Sequence, residues 1–167
     1  TTNANTCAAG NAALGDALRL IQYGSADVVL AGAAETPLTP VVFAAFDTLN
    51  TMSRSGIYRP YHTGRDGFIM GEGAAFFVVE SLAHAKQRGA RIYAEIAGYG
   101  LTNDAFHMSS PEPSGRALQS AMRLALEDAQ TSVDAIDYIN AHASGTRQLH
   151  LRSGRLSRAL RIQPSGL

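Results

Sequence analysis

The 167-residue chain has a single cysteine, no tryptophan and no acidic residue after Asp137. One cysteine excludes an internal disulfide framework and a four-cysteine metal site, and fits a reducing compartment. No apolar run approaches the length of a membrane span, and no basic stretch precedes an apolar one as in a secretory leader. Internal repeats and low-complexity tracts are missing too. What remains, 46% apolar and 17% charged residues with 16 glycines, belongs to an ordinary globular protein long enough to bury a core. An initiator methionine is also missing: Thr1-Thr2-Asn3 runs almost directly into the cysteine, so a preceding segment is expected.

The formal charge of zero hides an asymmetry. Up to Thr146 there are nine basic and 14 acidic residues, a charge of −5, whereas Arg147, Arg152, Arg155, Arg158 and Arg161 give the tail +5. A basic tail can bind nucleic acid or phosphate. This one has no aromatic residues and no nucleic-acid motif, so a segment foreign to the fold is the better reading and no nucleic-acid partner is expected.

Cys7 stands in Thr6-Cys7-Ala8-Ala9-Gly10, immediately before a run of small residues that reads as a helix. Unpaired amides at a helix start lower a thiol pKa, which makes Cys7 a candidate nucleophile. Nothing bulky follows until Leu14, so another molecule could approach closely. The competing reading is a small buried hydrophobe.

Apolar spacing predicts a helix over 8–21, with Gly24 as its stop, and a short buried strand over 26–31. Gly32-Ala33-Ala34-Glu35 follows at the strand's end, where Glu35 is a base or, more often, an acceptor for backbone amides. Thr39 and Pro40 cap and open a helix to about Leu49, with Phe43 and Phe46 on one face as core or as the lining of an apolar channel. Residues 52–67 read as an ordered loop. Its Arg54, Arg59 and Arg65 either meet an anion or pair with Asp66, Glu72 or Glu35.

The glycines of 67–73 lack both the dinucleotide-binding pattern and the P-loop ending, so no nucleotide is expected. Residues 74–80, 81–88 and 92–98 read as a strand-helix-strand unit with His84 at the surface of its helix. The loop 100–113 gathers Asp104, His107 and Ser109, too few convergent ligands for a metal site. An amphipathic helix over 115–129 and a turn at 133–135 lead to a strand over 136–141 ending at His142. A histidine at a strand's end, backed by Ser144 and Thr146, lies where open α/β sheets place chemistry.

Six pieces together resemble a known family: Asn5-Thr-Cys7-Ala-Ala-Gly, Ala31-Gly-Ala-Ala-Glu35, Arg59-Pro-Tyr, Arg65-Asp-Gly-Phe-Ile-Met-Gly-Glu-Gly-Ala74, Asn103-Asp-Ala-Phe-His-Met-Ser-Ser-Pro111 and Asn140-Ala-His-Ala-Ser-Gly-Thr146. Their order and spacing are similar to those of β-ketoacyl synthases of the thiolase-like condensing-enzyme superfamily, nearest the ketosynthase-II type and its type II polyketide relatives. The resemblance covers residues 1–148. A thiolase shares the fold and a reactive cysteine, but the joined Arg65-Asp-Gly-Phe and Asn140-Ala-His-Ala-Ser-Gly-Thr pieces speak for the synthase.

The resemblance implies an α/β fold of layered α-β-α-β-α type, present as an internal fragment. Residues 1–80 would end the first half, residues 81–148 would begin the second, and residues 149–167 form the basic tail. It implies Cys7 as nucleophile and His142 as the first of two catalytic histidines. Ser144, Thr146, His107 and Ser109 would serve the phosphopantetheine arm, and Glu35, Arg65, Asp66 and Glu72 a structural polar network in which Glu35 and Glu72 could also hold a monovalent ion. Ala143 stands where the family usually has glycine. The implied reaction is decarboxylative condensation of a Cys-bound acyl group with malonyl-acyl carrier protein, in fatty-acid or polyketide synthesis. It needs no cofactor, and the expected setting is a cytoplasmic homodimer or ketosynthase-like heterodimer that meets acyl carrier protein. The family would continue after Gln148 with a lysine, a second histidine and a late glycine-rich turn that this chain does not carry, so a non-catalytic truncated synthase is the alternative.

Overall fold

The computed structural model describes residues 1–107 and 110–147; the tail 149–167 and Ser109 lie outside them. The chain divides into two compact units that interleave along the sequence. The first comprises Thr1–Glu35, Gly73–Leu101 and Ala121–Thr131, and the second Thr36–Glu72, Thr102–Ser120 and Ser132–Leu167.

In the first unit, a 3₁₀ turn at Thr6–Ala8 leads into α1 (Ala9–Gln22). Ala12, Gly15, Ala17 and Leu18 are its buried face. The helix stops where expected: Gly24 takes φ +67°, and the amides of Gly24 and Ser25 return to the carbonyls of Ile21 and Leu20 at 3.1 and 2.9 Å. β1 (Val28–Glu35) then pairs antiparallel with β2 (Gly73–Glu80), in register from Val28 opposite Glu80 to Glu35 opposite Gly73. Helix and sheet approach closely because both are built of small residues. A Cβ on Gly10 would lie 3.3 Å from that of Ala33.

Two expectations change here. The strand expected over 26–31 runs on to Glu35, so Glu35 sits within the ladder and not beyond it. Nor is the strand buried on both faces: α1 covers the side of Ala31 and Ala33, while Leu30, Phe76 and Val78 on the opposite face stay more than half exposed. The buried apolar side chains of the described residues are Ala12, Ala17, Leu18, Ala31 and Ala85, a core without a single aromatic ring.

α3 (Leu82–Gln87) follows β2 directly, its start capped by Ser81 Oγ, which accepts the His84 amide at 3.2 Å. Glu80 binds His84 Nδ1 at 2.5 Å and takes a two-pronged contact from Arg88, and these bonds hold its carboxyl down to about 2. His84 is thus a half-buried paired residue rather than a free surface one. The expected strand over 92–98 joins no ladder. The chain instead runs along α4 (Arg116–Asp128) at backbone contact, since a Cβ on Gly98 or Gly100 would come within 2.4 Å of Ala125 O or 2.1 Å of Ala121 O. An extended segment becomes a strand only beside a partner edge, and among the described residues none is offered to it. Asp128 ties this region together, accepting from Arg19 and from the Tyr99 amide, each at 2.8 Å, while the Tyr99 ring occupies the space a Gly15 side chain would fill.

In the second unit, α2 (Pro40–Thr48) begins with Thr39 at the cap position and proline in its first turn, although the Thr39 side chain makes no capping bond. Phe46 meets Phe68 edge-on at 5.2 Å between centroids, whereas Phe43 is the more exposed of the helix pair. A 3₁₀ turn at Val133–Ala135 precedes residues 136–141, which form no ladder. Among the described residues no helix is long and apolar enough to cross a membrane.

Candidate active site

Cys7 lies in the middle of the turn that feeds α1 and is exposed, which removes the buried-hydrophobe reading. The turn is locally strained: Thr6 holds φ +51°, a region that costs a residue with a Cβ about 1–2 kcal/mol. Bonds on both sides hold it there. The Asn3 side chain accepts the Asn5 amide at 3.1 Å and donates to Asp16 at 3.2 Å, and the Ala8 amide reaches back to Asn5 O at 3.1 Å. α1 has neither a side-chain cap nor an acidic residue in its first turn, so nothing local neutralises the positive end of its dipole beside Cys7. The small residues that follow have a purpose the sequence reading did not foresee. Gly10 and Gly15 are small because Ala33 and the Tyr99 ring lie against them.

Glu35 also belongs to the first unit. It is exposed, and its carboxylate makes no bond among the described residues, so the expected capture of backbone amides falls instead to Glu72, which accepts from the Leu38 amide at 3.1 Å.

The remaining sequence candidates belong to the second unit. His142 is exposed on the segment 140–147. Ser144 Oγ and Thr146 Oγ1 are 3.1 Å apart, both half-buried, with Gly145 buried between them at φ +77°. Only glycine fits there, because a Cβ would lie 2.7 Å from the Gly67 carbonyl oxygen. Ala143 lies outside the left-handed region, so the methyl next to His142 imposes no such strain.

Loop 53–67 packs on this segment. The Gly67 amide donates to Gly145 O at 3.1 Å, Arg65 Nε to Thr146 O at 3.1 Å and Arg65 Nη2 to Arg147 O at 3.4 Å, while Tyr58 Oη bonds Ala143 O and Tyr61 Oη reaches Ala141 O at 3.4 Å. The loop is itself organised on Asp66, which accepts from the Ser55 amide and Ser53 Oγ, each at 2.9 Å, and faces Arg59 at 3.6 Å. Those bonds, the Ser55 amide foremost, hold the Asp66 carboxyl down at about 2. Of the three arginines expected to pair with Asp66, Glu72 or Glu35, only Arg59 does so. Arg54 takes Asp47 at 2.8 Å, and Arg65 spends its donors on carbonyls. Arg65, Asp66 and Glu72 therefore do not bond one another.

His107 is exposed, and its Nδ1 accepts the Ser110 amide at 3.2 Å. Asp104, in the same loop, accepts from the amides of Glu112 and Phe106 at 2.8 and 3.1 Å, which lowers its pKa and makes it a loop organiser. Among the described residues no three His, Cys, Asp or Glu side chains converge as a metal site would require. Sequence reasoning missed Tyr58 and the serines that hold Asp66. Their partners are far along the chain or in a turn-rich loop without periodicity, and no local spacing marks them.

Comparison with known proteins gives the family and the fold. Residues 1–85 match the β-ketoacyl synthase N-terminal domain and residues 93–150 the β-ketoacyl synthase C-terminal domain. The chain is 43% identical over 158 residues to 3-oxoacyl-acyl-carrier-protein synthase 2 of Rhizobium meliloti, covering 91% of this chain and 38% of that protein. The synthase 2 of Staphylococcus aureus is 42% identical over 144 residues, covering 84% and 36%. Among solved structures, the ketosynthase complex of a type II polyketide acyl-carrier protein, bound to the hexaketide, superposes with a TM-score of 0.87 at 42% identity, over 92% of this chain and 40% of that one. A β-ketoacyl synthase from Burkholderia phymatum gives 0.85 at 41%, over 92% and 38%. The fold is accordingly the thiolase-like one of the ketosynthases, and the chain spans less than two fifths of the length of the curated relatives named here. Two family models match residues 1–85 and 93–150, the first alone covering half of the chain, and the chain belongs to the β-ketoacyl synthase family.

Proposed function

We propose that this chain supplies the nucleophile and one catalytic histidine to a synthase that condenses acyl groups with malonyl-acyl carrier protein. The observation that carries the reading is Cys7, exposed on a strained turn at the uncapped start of α1. Its thiolate attacks the thioester carbonyl of an acyl-loaded carrier, a carbon–sulfur bond forms, and the phosphopantetheine thiol leaves with the proton that Cys7 gave up. Malonyl-acyl carrier protein then binds and loses carbon dioxide, and the electron pair of the broken carbon–carbon bond forms an enolate. The enolate attacks the Cys7 thioester and expels the Cys7 thiolate, leaving a 3-oxoacyl chain on the carrier.

His142 donates a hydrogen bond to the malonyl thioester oxygen where charge grows, and the Cys7 amide stabilises the tetrahedral oxyanion. Ser144 and Thr146, already within hydrogen-bond reach of each other, bind the polar phosphopantetheine arm, with His107 and Ser109 contributing from the loop before α4. Arg65, Asp66 and Glu72 are structural, each through its own bonds to backbone groups, whereas Glu35 takes no part in such a network among the described residues. The chemistry draws on thioester activation and fixed donors, so no cofactor is required. Acyl carrier protein is the partner, in a homodimer or a ketosynthase-like heterodimer. The ketosynthase solved with its acyl-carrier protein and the one paired with a chain length factor support both expectations.

The test grafts residues 1–147 in place of the segment they match in the Rhizobium meliloti synthase. Intact-protein mass spectrometry is expected to find the acyl mass on the graft and none on Cys7→Ala. His142→Ala is expected to keep acylation and lose condensation by about a hundredfold or more. Acyl mass retained on Cys7→Ala, or near-normal condensation by His142→Ala, refutes the reading.

A further inference from the structure

Five carbonyls of the segment that carries His142 are bonded by loop 58–67. Those of Ala141, Ala143 and Gly145 accept from Tyr61 Oη, Tyr58 Oη and the Gly67 amide, and Arg65 takes the next two, of Thr146 and Arg147. Loop 58–67 thus holds the segment through two tyrosine hydroxyls, a guanidinium and one backbone amide. His142 lies between the two tyrosine contacts, so its backbone is fixed immediately before and after the imidazole.

We propose that Tyr58 and Tyr61 are positioning residues for His142, setting the backbone from which its imidazole meets the malonyl thioester. The inference rests on the reading of His142 given above. The loop is suited to the task because Asp66, bound by Ser53, Ser55 and Arg59, anchors it independently of the segment it holds. The contacts are unequal. A hydroxyl-to-carbonyl separation of 3.4 Å is long for such a bond, so Tyr61 holds more weakly than Tyr58. A neutral hydrogen bond is worth about three- to tenfold in an equilibrium. A histidine displaced by a fraction of an ångström loses rate to a comparable or larger extent.

In the grafted synthase, Tyr58→Phe is expected to lower kcat for malonyl decarboxylation by about three- to tenfold, and Tyr61→Phe by less, with KM and Cys7 acylation unchanged. Combined with His142→Ala, neither should have a further effect. A parallel loss of Cys7 acylation, or equal effects with and without His142, overturns the proposal and leaves general structural supports. A harmless His142→Ala is instead a failure of the functional reading, and the clamp is then judged in the 167-residue chain by imidazole NMR. There the doubly substituted Tyr58→Phe, Tyr61→Phe chain is expected to shift the His142 resonances, identified by their loss in His142→Ala, while His84 stays in place beside Glu80. Unmoved His142 resonances overturn the proposal.

Discussion

Replacing Gly145 by alanine imposes two separable costs on the segment that carries His142. At φ +77° an alanine pays about 1–2 kcal/mol for left-handed backbone. Its Cβ would also lie 2.7 Å from the Gly67 carbonyl oxygen. That neighbour is backbone and cannot rotate away, so the loop must move off and the 3.1 Å bond from the Gly67 amide to Gly145 O is lost, about 1 kcal/mol more. The total is about 2–3 kcal/mol, about thirty- to a hundredfold in the local opening equilibrium. Gly56 supplies the control: its φ is +67° and nothing lies within 4 Å of an added Cβ, so Gly56→Ala carries the backbone cost alone. The assay is hydrogen exchange at the Gly67 amide. Gly145→Ala should speed it by about thirty- to a hundredfold and Gly56→Ala by about fivefold less than that. Equal effects of the two substitutions would refute the argument that loop 53–67 and segment 140–147 are held at backbone contact.

Two carboxylates give a pH dependence of known sign. Asp66 and Glu80 are held at about 2, below their ordinary values of 3.8 and 4.5. The folded chain therefore binds fewer protons than the unfolded one, and the stability these groups contribute is complete above about pH 5 and is lost as pH falls towards 2. Carboxyl-carbon NMR titration should find both midpoints depressed, and an ordinary midpoint for Asp66 would mean that the Ser53 and Ser55 bonds do not form. On the sheet face opposite α1, Leu30→Thr with Val78→Thr should reduce self-association of the 167-residue chain, because the two apolar side chains are 70% and 57% exposed directly opposite each other. Size-exclusion chromatography reads the outcome, and an unchanged oligomer fraction would show that another surface drives association.

The amino-acid sequence by itself determined the local pieces and the family. A cysteine before a small-residue helix, the Gly24 stop, the proline-opened α2 and the order of motifs from Cys7 to His142 are all properties of neighbouring residues, and short-range sterics and hydrogen bonding suffice to specify them. Tertiary structure alone decided whether extended segments became strands. Residues 28–35 did so, and four residues further than expected, because residues 73–80 offer a matching edge, whereas 92–98 and 136–141 have the composition of strands but no edge to join among the described residues. It also decided which polar residues serve which task. Arg65 looked like one of three ion-pairing arginines and holds carbonyls instead, and Tyr58 looked like a turn residue and bonds the backbone next to His142, 85 residues away. Contacts at that separation leave no periodic trace along the chain, because the loop that makes them is organised by the carboxylate of Asp66 and not by its own backbone.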